Sequence, residues 1–116
     1  MDLEERLIEF AFVVIHFTKS LKRTRENMHL KDQIIRSSTA CALNYGEAQS
    51  AESRKDFIHK LGIVLKELRE TKINLKLLKR LNSEGEGSEI YALLAENDQL
   101  LAIFHKSVET AKSRKG

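Results

Sequence analysis

Apolar residues recur along the chain at steps of three and four, the spacing that lines them up on one face of a helix. Leu3, Leu7, Phe10, Val14, Phe17 and Leu21 form the first stripe, and Leu30, Ile34, Ser38, Cys41, Tyr45 and Ala48 the second. Phe57, Leu61, Val64, Leu68, Thr71, Leu75 and Leu78 form the third, and Ile90, Leu94, Asn97, Leu101, Phe104 and Val108 the fourth. Four such stripes joined by short connections must bury themselves on one another, which predicts an all-α, antiparallel up-and-down four-helix bundle. The helices are expected over about 2–25, 29–51, 54–81 and 88–112, in one domain covering residues 1–116.

The joints carry their own signals. Ser53 is placed to N-cap the third helix by accepting a bond from the Asp56 amide, and the Asp56 charge suits a helix start. Asn82-Ser83-Glu84-Gly85-Glu86-Gly87 reads as a loop, with Ser88 as the cap of the fourth helix. The first joint, near Arg25 to His29, has no such punctuation, and the tail from Lys112 to Gly116 should fray.

Composition removes the competing classes. A chain of 116 residues without proline and with five glycines lacks the turn residues of a β-rich domain. Cys41 is the single cysteine, so no disulfide scaffold is available. No long uncharged run suits a membrane span, and the acidic start Met1-Asp2-Leu3-Glu4-Glu5 is no signal peptide, so a reduced, cytoplasmic protein is expected.

The formal charge is only +3, yet its distribution is uneven. Residues 1–18 hold four acids and one base, residues 54–81 nine bases and three acids, and residues 82–98 five acids and no base. Such segregation builds local fields. On the third helix Arg69, Lys72, Lys76, Lys79 and Arg80 fall within about 100° of azimuth at 100° per residue, and Arg54 and Lys55 extend that face. Lysines and arginines without interleaved aromatics favour phosphate contacts over base stacking, so an RNA or DNA partner would be held by backbone and shape. The plainer reading is a solvated face whose last cations complement the helix dipole.

Two further patterns stand apart from the core stripes. Ile8, Phe12 and Ile15 make a second apolar face on the first helix, and Ile63, Ile73 and Leu77 another on the third. Taken as faces of adjacent helices, they point to a subunit interface and self-association. Gln33, Ser37, Ala40, Asn44 and Glu47, with Arg36 on the flank, form a polar stripe on the second helix, and Glu67 and Glu70 offer it acids from the third. A partly buried network that fixes helix register is the preferred reading, with a ligand pocket as the alternative.

The chemistry of sites is thin. Glu26-x-x-His29 and Asp56-x-x-His59 match the spacing of a di-iron carboxylate pair, but neither lies at mid-bundle. His16 and His105 stand alone, and Cys41 sits on an apolar stripe as a small core residue. No phosphate loop, zinc spacing or nucleophile elbow occurs. No cofactor or metal is expected, and the sequence reads as non-catalytic.

Several runs are distinctive together. Asp32-Gln33-Ile34-Ile35-Arg36-Ser37-Ser38, Asn44-Tyr45-Gly46-Glu47-Ala48, Ser53-Arg54-Lys55-Asp56-Phe57-Ile58-His59-Lys60-Leu61 and Glu67-Leu68-Arg69-Glu70-Thr71, followed by Leu75-Lys76-Leu77-Leu78, resemble the four-helix-bundle proteins encoded in intervening sequences of 23S rRNA genes. Many members of that family read Asn-Ile-Ala-Glu-Gly at Asn44 to Ala48, a departure that affects local packing. The resemblance implies an up-and-down bundle assembling as a ring-like homopentamer. It also implies that the label S23 ribosomal protein says little about the role. A related group serves diversity-generating retroelements as an accessory protein that binds nucleic acid and a reverse transcriptase. The family supplies no catalytic residues, and Gln33, Arg36, Asn44, Glu47, Glu67 and Glu70 carry over as structural positions. Three classes thus stand: a nucleic-acid-binding module, a protein-interaction scaffold such as a reverse-transcriptase accessory protein, and an enzyme assembled in space.

Overall fold

α1 (Leu3–Thr18), α2 (Arg25–Gln49), α3 (Arg54–Leu81) and α4 (Glu89–Ser113) make up the computed structural model, which describes residues 2–82, 87 and 89–114. They run up and down as an all-α four-helix bundle. α1 and α3 each pack on α2 and α4, and no Cα of α1 comes within 8 Å of one in α3. The two faces read as lying on adjacent helices therefore sit on opposite corners of the bundle. Across the other diagonal only side chains meet, as where the Tyr45 ring stands edge-on to Phe104 with centroids 5.3 Å apart.

The stripes converge on one core, in which Leu7, Val14, Ile34, Leu61, Leu68, Leu75, Leu100 and Phe104 are almost or wholly excluded from water. Each contributes about 1.5–3 kcal/mol by burial. On α4 the buried line is Ile90, Leu93, Asn97, Leu100 and Phe104, whereas Leu94, Leu101 and Val108 are only half-buried. Two interleaved apolar lines on that helix both have the right period, and packing against α3 and α1 selects one.

The first joint differs most from the sequence reading. α1 stops at Thr18, and α2 begins at Arg25. The Thr18 and Ser20 hydroxyls donate back to the carbonyls of Ile15 and Phe17, and the amides of Lys19, Ser20 and Leu21 bond three residues back, which tightens the chain out of the α-helix. Thr24 then caps α2 by accepting from the Asn27 amide at 3.1 Å. The other start is as expected, with Ser53 accepting from the Asp56 amide at 3.0 Å. Ser88 and residues 83–86 lie outside the described residues.

One end of the bundle is clamped by a reciprocal amide pair. Asn27 and Asn82 each donate to the other's carbonyl oxygen at 2.9 Å, tying the start of α2 to the end of α3. Asn97 is the opposite case: it is wholly buried, and neither its amide nitrogen nor its oxygen has a hydrogen-bond partner among the described residues. An unsatisfied buried amide costs about 1–3 kcal/mol. Asn97→Leu is therefore expected to raise the melting temperature, by about 4 °C per kcal/mol at this size. A fall in the melting temperature would show that the amide is engaged by a group beyond the described residues.

Candidate nucleic-acid interface

The basic residues read together from the sequence are divided by the fold. Lys72 is turned to α4, where its ammonium lies 2.8 Å from the Asp98 carboxylate. Lys79 is turned the same way and stands over the Tyr91 ring, 4.7 Å from its centroid. Arg54, in the first turn of α3, donates to the Arg114 carbonyl at the other end of the bundle, with exposed Lys55 beside it. Arg69, Lys76 and Arg80 remain exposed, and no carboxylate among the described residues pairs with them. They span about 16 Å of α3 at 1.5 Å per residue. Three cations at that spacing, unpaired among the described residues, present a row of donors to phosphate.

The same outer face of α3 carries apolar residues. Ile73, Leu77 and Leu81 follow one another at steps of four and are about half exposed, while Ile63 is half-buried at the edge. Leu81 escaped the sequence reading because it lies at the helix end, where periodicity stops being informative. On the opposite corner Ile8 and Phe12 are exposed, Phe12 by 62%, and Ile15 is half-buried. The one base of α1 takes no part in that face: Arg6 folds onto α4, reaching Glu96 with two nitrogens at 2.8 Å and Gln99 at 2.8 Å. Glu4, Glu5 and Glu9 are exposed around Ile8 and Phe12. The outer face of α1 is thus acidic and apolar, and that of α3 basic and apolar.

The polar network is smaller than the sequence suggested. Arg36 bridges two acids of α3, with one guanidinium nitrogen 3.3 Å from Glu67 and the other 2.6 Å from Glu70. The Glu70 hydrogen bond and the Glu67 charge raise Arg36 above its ordinary range. Glu47 lies elsewhere, 2.7 Å from Lys60, Asn44 donates to its own helix at the Ala40 carbonyl, and Gln33 is exposed. Side-chain reach explains the difference, since only Arg36 is long enough to cross to Glu67 and Glu70 from its flank. The buried polar contact of that stripe is Ser37 with Thr71 of α3, whose hydroxyls are 2.7 Å apart.

The Arg36 side chain is 57% exposed and that of Glu67 only 9%. Arg36→Ala should therefore cost about 1–3 kcal/mol, less than the ~3–5 kcal/mol of a wholly buried pair, and most of it for stranding Glu67. Urea unfolding of the variant checks this. Unchanged stability would remove the pair from the list of what fixes the α2–α3 register.

The other candidates are scattered. Burial pushes the Cys41 thiol up to about 12, with the Glu67 charge adding to it, so it stays protonated and inert. Glu26 and His29 lie at the start of α2, and Asp56 and His59 at the start of α3, which is the opposite end of the bundle. No group of three or more metal-ligating side chains occurs among the described residues. His16 is exposed, and His105 sits 3.1 Å from Glu109. No helix among the described residues is long and apolar enough to cross a membrane.

Comparison with known proteins follows the same architecture. The family model of 23S rRNA-intervening sequence proteins matches residues 1–106. A crystal structure of a protein of unknown function from the S23 ribosomal protein family of Bacteroides thetaiotaomicron superposes with a TM-score of 0.83 and 29% identity, covering 92% of this chain and 98% of that one. No curated protein matches the chain.

Proposed function

Because the chain belongs to the 23S rRNA-intervening sequence protein family, we propose that it works without catalysis, as a self-assembling helical bundle that holds the phosphate backbone of RNA or DNA. The observation that carries this is the row Arg69, Lys76 and Arg80, exposed on α3 and matched by no carboxylate among the described residues. Lys55 extends the row toward the start of the helix. Lys72 and Lys79 support the face from α4 instead of contacting phosphate, because Asp98 and Tyr91 occupy them.

Assembly is the second half of the reading. The acidic apolar face of α1 complements the basic apolar face of α3, and the two lie on opposite corners of one molecule. One copy's Ile8 and Phe12 would then meet the next copy's Ile73, Leu77 and Leu81, head to tail, with Glu5 and Glu9 facing Lys66. A ring of five is the proposed form. At 100° per residue, Arg69, Lys76 and Arg80 lie about 60–100° round α3 from Leu77, toward α4, and stay at the rim of such an interface. The row of cations would recur at every interface of the ring, one bundle width from the next.

The competing role is a protein scaffold, such as an accessory to a reverse transcriptase, that never touches nucleic acid. Titrating salt against a fluorescent RNA hairpin separates the two. A scaffold binds its partner with little salt dependence, and a phosphate binder loses affinity steeply.

A further inference from the structure

α1 fills its corner of the bundle over only part of the bundle's length. It has 16 residues against 25 in each of its neighbours α2 and α4, which makes it about 13 Å shorter at 1.5 Å per residue. Arg6, near its start, is level with Glu96 and Gln99, so α4 runs on to Ser113 with no α1 beside it. The corner beyond is a groove of about 750 Å³ between the end of α2, the start of α3 and the last turns of α4. Ile103 and Thr110 line it and follow Glu96 at intervals of seven, so they continue the very face that α1 covers lower down.

The groove has a definite chemistry. Its floor is Ala48, Phe57, Ile103 and Ala111, and its rim carries Arg54, Lys106 and Arg114. Arg54 donates to the Arg114 backbone carbonyl, which ties the start of α3 to the end of α4. No Asp or Glu lines the groove among the described residues. The lane is the length of corner beside α2 and α4 that α1 leaves open, its floor is apolar, and its rim is positive.

We propose that this vacant half-corner is the docking site for a short acidic amphipathic helix of a partner protein, which completes the four-helix cross-section over the upper half of the bundle. Apolar residues at i, i+3 or i+4, and i+7 of the guest cover Phe57 and Ile103, and its flanking carboxylates meet Arg54, Lys106 and Arg114. A phosphate backbone could use the rim but would leave the apolar floor wet, which is why a helix fits better than a nucleic acid. The site is distinct from the row on the outer face of α3, and it stands whether or not that row binds phosphate.

The test is a peptide-display selection on the intact protein, using random peptides of about 14 residues, long enough for about 20 Å of helix, with counter-selection on Ile103→Glu. The expected winners have helical apolar spacing and net negative charge. A synthetic winner, followed by fluorescence anisotropy, should lose about tenfold in affinity, 1.4 kcal/mol, on Lys106→Glu, and a similar amount on Ile103→Glu. Circular dichroism and elution volume should not change with Lys106→Glu, an exposed position that keeps the test valid if Ile103→Glu unfolds. The proposal falls if no peptide discriminates against the variants, or if the winners are basic or lack helical spacing. It also falls if Lys106→Glu alters the oligomer, since another copy then covers the groove. Loss of RNA-hairpin binding in Lys106→Glu, with no effect on the peptide, would assign the rim to nucleic acid.

Discussion

Reversing Arg69, Lys76 and Arg80 together to Glu should abolish binding of an RNA hairpin or a DNA duplex while leaving helicity and elution volume as they are. All three side chains are exposed, so the bundle loses no core contact. Lys72 is left in place, because reversing it would set a carboxylate against Asp98 at the α3–α4 seam. Each neutralised phosphate adds about −0.9 to the slope of log affinity against log salt on duplex DNA. If two neighbouring copies supply three contacts each, raising salt from 50 to 200 mM costs roughly three orders of magnitude in affinity. Binding should show little sequence preference, since none of the three positions offers an aromatic platform. Failure of the wild type to bind at low salt, or binding indifferent to salt, would return this face to solvent and leave the scaffold as the reading of choice.

Phe12→Glu and Ile73→Glu should each break the assembly to a monomer of about 13 kDa in size-exclusion chromatography with light scattering, with little loss of helicity. Both side chains are more than half exposed, so a charge there is solvated in the free subunit and desolvated only at an interface. Head-to-tail contact makes a sharper forecast. The two variants carry defects on different faces, so in a mixture one intact α1 face still finds one intact α3 face. Mixing them should restore a dimer and nothing larger. A monomeric wild type at tens of micromolar would end this reading, and recovery of full-size rings from the mixture would end the head-to-tail arrangement.

How far the sequence could be read depended on what ended each pattern. Ser53 stops and starts helices unambiguously, because its hydroxyl meets the Asp56 amide within one local turn. The end of α1 was not legible, since Leu21 continues the apolar step past the true end. The hydroxyls that break the helix, Thr18 and Ser20, are ordinary helix residues unless their χ angles turn back to the carbonyls. Thr24 was a usable signal that an extrapolated stripe concealed. On α4 the choice between Leu94 and Leu101 or Leu93 and Leu100 depends on which helices stand on either side, and periodicity carries no neighbour list. Charge and register sufficed to pair Arg36 with Glu67 and Glu70. They did not suffice for Gln33 and Asn44, whose short amides found a solvated position and a local carbonyl. The division of the basic row was invisible for the same reason, because Asp98 and Tyr91 reach Lys72 and Lys79 only through space.

The placement of α1 and α3 on opposite corners has a consequence for how the molecule must be shaped. Complementary faces pointing in opposite directions have no built-in stop: set back to back, they would add copies along a straight filament without limit. A closed ring of the kind proposed above needs an inclination between the two outer faces, which curves the string until its ends meet. In such a ring the inclination of α1 to α3 would set the copy number. A core substitution far from the proposed interface that flattened it would then turn a closed ring into a growing fibre.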